Sequence, residues 1–228
     1  MVTRHLVGRI AKREMAILDG TRLPPLPWTG ERCVPESMLN VTELRAMTEH
    51  LARYWWALDR IHLRGSANQV VVDAPCGAGY GSAILAVTPR VALVVGSDID
   101  QDAIAYATDR YGIPGRVLFR TGDLADLRTK ADAVVCFEGI EHVADQAAVA
   151  RALCGALKPG GMLFVSTPRA EGDGTLSPFH THELSLAELV ALFEPYLSAF
   201  EIHGQILGVG DCSPEKARYF ILAGRKAG

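Results

Sequence analysis

Residues 70–81 read VVVDAPCGAGYG, from Val70 to Gly81. Three β-branched residues make a short buried strand, Asp73 closes it, and Gly77, Gly79 and Gly81 shape a turn into the next helix. The spacing is G-x-G-x-G rather than the G-x-G-x-x-G of dinucleotide-binding turns, and no GK[ST] follows, which excludes a P-loop. A glycine-shaped turn at the carboxyl end of a parallel strand is where open α/β sheets receive ligands.

Apolar strands and helices alternate outward from this turn. Strands are expected at 69–73, 91–97, 117–120, 133–137 and 162–166, with helices near 80–87, 101–111, 145–157 and 185–194. Near-continuous apolar strands joined by helices predict an α/β fold, a parallel sheet covered on both faces. Strand candidates at 198–203 and 218–223 have no helix between them and read as an antiparallel edge pair. Upstream, an amphipathic helix is expected at 4–18, a loop at 28–36 (WTGERCVPE) and a longer helix from about Glu43 to Ile61. The domain division that follows is a helical cap over 1–64 and a ligand-binding domain over 65–228.

The 228 residues are 49% hydrophobic and 21% charged, which suits one well-filled core and argues against disorder. The net charge of −3 divides unevenly: residues 1–64 hold 10 Lys+Arg against 7 Asp+Glu, and the remainder 13 against 19. An acidic body argues against nucleic-acid binding. No apolar run approaches the ~20 residues of a membrane span. Five cysteines without a CxxC pair suggest a reducing, cytoplasmic setting with neither disulfide framework nor zinc knuckle.

Three consecutive strand ends each present a carboxylate to one crevice. Asp98 ends the second strand, 21 residues after Gly77, where an acid can take both hydroxyls of a ribose. Asp100 competes for that role but reads better as the N-cap of the next helix. Asp123, after the third strand, is placed to accept from an adenine amino group. No Lys/Arg cluster stands by to neutralise phosphates, so the ligand expected is an adenosine without them.

VVDAPCGAGYGS, VVGSDIDQDAIAYA, TGDLADL, ADAVVCFEGIEHVAD and LKPGGMLFVSTP, in this order and spacing, resemble the five motifs of class I S-adenosylmethionine-dependent methyltransferases. The resemblance covers roughly residues 50–203. It implies a Rossmann-like methyltransferase fold, with a mostly parallel seven-stranded sheet, an antiparallel edge pair and helices on both faces. It also implies S-adenosyl-L-methionine as cofactor. Asp73, Gly77 and Gly79 would hold the methionyl end through backbone and ordered water. Asp98 would take the ribose, Ile99 would pack on the adenine, and Asp123 and Leu124 would bind its edge. Phe137 and Glu138 would face the amino group and sulfonium. Arg53 would reach the cofactor carboxylate, the alternative being a solvated helix face. Pro75 and Cys76 depart from the usual motif, and Pro75 lacks a backbone donor.

The head, WTGERCVPE followed by EHLARYWWAL, resembles a subgroup associated with sugar, glycan or natural-product modification. The expected activity is methylation of oxygen or nitrogen on a small polar metabolite, preferentially a sugar or glycosylated natural product. The rivals are a protein or nucleic-acid methyltransferase and a non-catalytic cofactor-binding subunit. A hydroxyl acceptor needs a base, for which His142 and His180 compete. HTHE (180–183) with EGIEH (138–142) can also be read as a divalent-metal cluster, but no metal is assigned, since sequence does not fix its geometry. The partner expected is a small-molecule acceptor, with no nucleic acid and no membrane; a homodimer is left open.

Overall fold

The structure is a computed structural model that describes residues 26, 32–35, 41–170 and 177–227. The helix expected at 4–18 and most of the 28–36 loop, Trp28 included, lie outside the described residues. The described part opens with helix α1 (Val41–Leu63). Strand β1 (Gln69–Asp73), helix α2 (Tyr80–Leu85), β2 (Val91–Asp98), α3 (Gln101–Tyr111), β3 (Val117–Thr121) and β4 (Ala131–Phe137) follow. Then come α4 (Gln146–Ala156), β5 (Leu157–Pro168), α5 (Leu186–Phe193), β6 (Leu197–Gln205), β7 (Val209–Cys212) and β8 (Tyr219–Lys226).

Among the described residues these strands form one eight-stranded sheet, ordered β3-β2-β1-β4-β5-β8-β6-β7. The pairs from β3 through β5 are parallel, and β8 is antiparallel to both β5 and β6. The sheet has one strand more than the seven expected. The addition is β7, four residues long, which folds back on the end of β6. Too short to show an alternating pattern, it reads from sequence as loop.

Side chains alternate between two cores. Val71, Val94, Val135 and Phe164 face the core shared with α1, α2 and α3. Val72, Val95, Val134 and Val165 face the one shared with α4 and α5. Both faces are covered, which is why the central strands read as unbroken apolar runs. α1 supplies Met47, Tyr54, Ala57, Leu58 and Ile61 to the first core. Trp56 meets Phe164 edge to face at 5.7 Å, whereas Trp55 is exposed. The described cysteines are free thiols, four of them buried.

The strand order reverses direction between β1 and β4, opening a crevice at their carboxyl ends. At Gly79, φ is +87°, and a Cβ there would lie 2.5 Å from Ala107 Cβ. At Gly81 a Cβ would fall 2.0 Å from the Tyr54 ring. The first glycine sets the turn and the second lets α2 pack against α1.

Candidate active site

The crevice is a cavity of about 740 Å³, within the range of small-molecule sites. Gly77, Asp98, Ile99, Asp123, Leu124, Phe137, Glu138, His142 and His180 all line it, as expected.

One end of the cavity is organised around Asp98. One carboxylate oxygen accepts from the Gly77 amide at 2.8 Å and the other from the Asp100 amide at 3.0 Å. The glycine turn and the next helix start therefore fix the carboxylate. Each oxygen keeps a lone pair for a ligand diol. Ile99 is 72% exposed, an apolar face presented to the crevice. Asp123 Oδ1 accepts from the Ala125 amide at 2.8 Å, which pins the next turn. Asp100 caps α3 as expected, accepting from Asp102 and Ala103. It also pairs with Arg32 at 2.8 Å, drawing the end of the WTGER segment to the crevice.

Three expected residues stand elsewhere. Asp73 is fully buried beneath the turn, accepting from Ser82 Oγ at 2.6 Å and Tyr54 Oη at 3.1 Å. Burial pushes its carboxyl up to about 7 against the pull of those two donors. It shapes the turn rather than facing the cavity. Gly79, the left-handed N-cap of α2, packs against Ala107 and Phe119 and likewise lies behind the lining. Arg53 is also fully buried. Its Nε donates to Gln205 Oε1 at 2.6 Å, and its guanidinium lies 4.2 Å from the Tyr219 ring centroid. Nη1 makes an ion pair with Glu138 Oε1 at 3.2 Å without hydrogen-bond geometry. Arg53 thus lies behind the cavity lining, with its charge facing Glu138. Periodicity placed Arg53 on a helix; it did not reveal that Gln205 of β6 and Tyr219 of β8 meet that helix face.

The opposite end of the cavity gathers residues from β4, β5 and the 177–183 loop. Glu138 follows β4 with φ of +50°, a left-handed conformation that a non-glycine residue adopts only when its surroundings hold it. Ser166 Oγ donates to its carboxylate at 2.8 Å, and Arg53 completes the clamp. His142 Nδ1 donates to the Phe179 carbonyl at 2.9 Å. His180 Nδ1 meets Glu183 Oε1 at 2.6 Å. The two rings are 5.0 Å apart. The Thr181 and His182 amides both donate to the Glu141 carbonyl, which ties the loop to the β4 exit. His182 turns outward to Glu188, so it does not share this end. Glu141 is fully buried, and one of its carboxylate oxygens has no hydrogen-bond partner. Burial, with the neighbouring Glu138 charge, holds its carboxyl well above the usual range.

Sequence reasoning missed His50, Arg169, Arg218 and Tyr219, which also line the cavity. His50 bonds Tyr80 at 3.0 Å, and burial with the nearby Arg53 charge pushes its imidazolium down to about 3, so it is neutral at physiological pH. Arg169, Arg218 and Tyr219 come from the edge strands and their connections, which no motif marks.

The fold, the glycine turn and the crevice at the switch point define a ligand-binding α/β sheet of the doubly wound type. The chain belongs to the S-adenosylmethionine-dependent methyltransferase family, and S-adenosylmethionine is its cofactor. The family description "Methyltransferase domain" matches residues 72–165. A probable S-adenosylmethionine-dependent methyltransferase of Mycolicibacterium smegmatis is 36% identical over 196 residues, 81% of this chain and 68% of that protein. One of Mycobacterium tuberculosis is 34% identical over 180 residues, 73% of this chain but only 59% of that protein. A ubiquinone biosynthesis O-methyltransferase of Pseudomonas fluorescens is 32% identical over 117 residues, 49% of this chain and 48% of that protein. Among solved structures, magnesium protoporphyrin IX methyltransferase from Synechocystis with bound SAH shares the fold. Its TM-score is 0.63 at 18% identity, over 84% of this chain and 90% of that one. No helix among the described residues is long and apolar enough to cross a membrane.

Proposed function

We propose that this methyltransferase acts on a hydroxyl oxygen of a small polar metabolite, in the class of sugars and glycosylated natural products. The cofactor supplies a methyl group already activated on a sulfonium, so the protein's contribution is alignment and control of the acceptor proton. Asp98, Ile99, Asp123 and Leu124 orient the adenosine. Phe137 and the clamped Glu138, from the end of β4, line the acceptor end of the cavity. Arg169, Arg218 and Tyr219 give the acceptor end a polar wall suited to a hydroxylated molecule.

The observation that carries the choice of oxygen is the His142–His180 pair. A neutral amine has its lone pair ready and needs only alignment, whereas a hydroxyl must lose its proton as it attacks. Two imidazoles 5.0 Å apart at the acceptor end are a device for activating a hydroxyl, and both residues are assigned to that task. The similarity to ubiquinone biosynthesis O-methyltransferases supports the same chemistry. The cavity's size and the acidic body favour a small molecule over a nucleic acid.

The test is incubation with isotopically methyl-labelled cofactor and a matched acceptor panel, read by mass spectrometry. The panel holds hydroxylated sugars, glycosides and phenols beside the corresponding amines. Label on oxygen in hydroxylated acceptors is expected; label confined to amines would overturn the assignment.

A further inference from the structure

We propose that Glu141, His142 and His180 form a binding site for one divalent cation, the two histidines lining the acceptor end of the cavity and Glu141 buried beside them. One ligand atom from each of the three lies within 4.8 Å of the other two. Two imidazoles and one carboxylate, with the remaining positions open, are a donor set for a divalent cation that also binds a further ligand.

The orientation of the rings is the second line of argument. A carbonyl can only accept, so the 2.9 Å contact to Phe179 puts the His142 proton on Nδ1 and, in the neutral ring, the lone pair on Nε2. The Glu183 carboxylate does the same for His180 at 2.6 Å. A backbone carbonyl behind one imidazole and a carboxylate behind the other is the outer support that fixes the tautomer of metal-binding histidines.

Glu141 supplies a third, independent observation. Its side chain is fully buried, Thr167 Oγ1 donates to one carboxylate oxygen at 3.3 Å, and the other oxygen has no partner. A buried carboxylate oxygen without a partner is costly unless something the protein alone does not supply satisfies it. A cation shared with His142 and His180 meets that need. Two nitrogen ligands favour Co²⁺, Ni²⁺ or Zn²⁺ over Mg²⁺, and Mn²⁺, which the carboxylate also suits, is the paramagnetic probe of the site.

The role of the cation rests on the oxygen-methylation reading. An acceptor hydroxyl reaching an open position would lose its proton to solvent more readily. The oxygen–carbon bond then forms as the methyl–sulfur bond breaks, its electron pair returning to sulfur. His142 and His180 thereby activate the acceptor as ligands instead of as a lone base.

The experiment titrates Mn²⁺ into the full chain, stripped with chelator, following the loss of the free-ion electron paramagnetic resonance signal without any acceptor. One saturable site is expected. His142→Ala, His180→Ala and the near-isosteric Glu141→Gln should each weaken it tenfold or more, and Glu183→Gln about 10–100-fold. His182→Ala should leave it unchanged. Retained S-adenosylhomocysteine binding shows that each variant is folded. No saturable binding, or binding that none of the three ligand variants weakens, overturns the site. Mn²⁺ binding together with label only on amines leaves the site standing and overturns the oxygen reading instead.

Discussion

The two ends of the cavity are built by different means. At the cofactor end the functional groups sit at strand ends or within four residues of them, and backbone amides of the strand-end turns fix Asp98 and Asp123. Asp98 is held by the amide of Asp100, two residues on, and by that of Gly77, at a fixed offset in the same βαβ unit. At the acceptor end the groups are assembled over distance: Glu138 is held by Ser166 and Arg53, and His142 meets His180 across a loop. A short-range device tolerates change elsewhere in the chain. A long-range one can be retuned by altering one loop, as expected where a family keeps its cofactor and varies its acceptor.

The largest effect that would sharpen this contrast lies at the acceptor end. His142→Ala and His180→Ala should each lower kcat about 10²-fold, since each removes a group that activates the hydroxyl. Single-turnover kinetics with a methylated acceptor readout checks this. Near-wild-type turnover in both variants would mean that the pair has no part in the chemistry.

A smaller effect tests the rigidity of the cofactor end. Gly79→Ala places a methyl 2.5 Å from Ala107 at a residue with φ of +87°. The cost should be about 1–3 kcal/mol of stability, readable as a lower midpoint in urea unfolding. An unchanged midpoint would show that the turn relaxes freely.

A pH-dependent effect concerns the buried acid beneath that turn. Asp73 has its carboxyl raised from 3.8 to about 7 by burial, so the folded state holds its proton where the unfolded chain has released it. Its contribution to stability is full below pH 3.8 and is lost as pH rises through about 7. His50, lowered from 6.5 to about 3, acts with the opposite sign, removing stability as pH falls through that window. Asp73→Asn should therefore leave a stability profile that rises more steeply, or falls less, between pH 4 and 7 than the wild type's. Thermal melts across that range check it, and parallel profiles would remove Asp73 from the account.

What could be read from the sequence follows the same division. The glycine turn, Asp98 and the capping role of Asp100 were legible because each depends on residues within a few positions or at a fixed offset in a βαβ unit. The burial of Arg53 and Asp73 was not legible because their side-chain partners Gln205, Tyr219 and Ser82 sit on separate elements. The meeting of His142 and His180 was only suggested. Both were candidates, but they lie 38 positions apart, joined by a strand and a loop whose return path no local pattern dictates. β7 went unseen because four residues are too few for a period to appear.

The separation of the two ends is tested most directly by calorimetric titration of S-adenosylhomocysteine into wild type, Asp98→Ala and His142→Ala side by side. Asp98→Ala should weaken binding by about 10–100-fold, the loss of charge-assisted hydrogen bonds to a diol. His142→Ala should bind within threefold of the wild type, by roughly less than 1 kcal/mol. Equal losses in the two variants, or an undiminished affinity in Asp98→Ala, would contradict an adenosine site anchored on Asp98 and separate from the acceptor machinery.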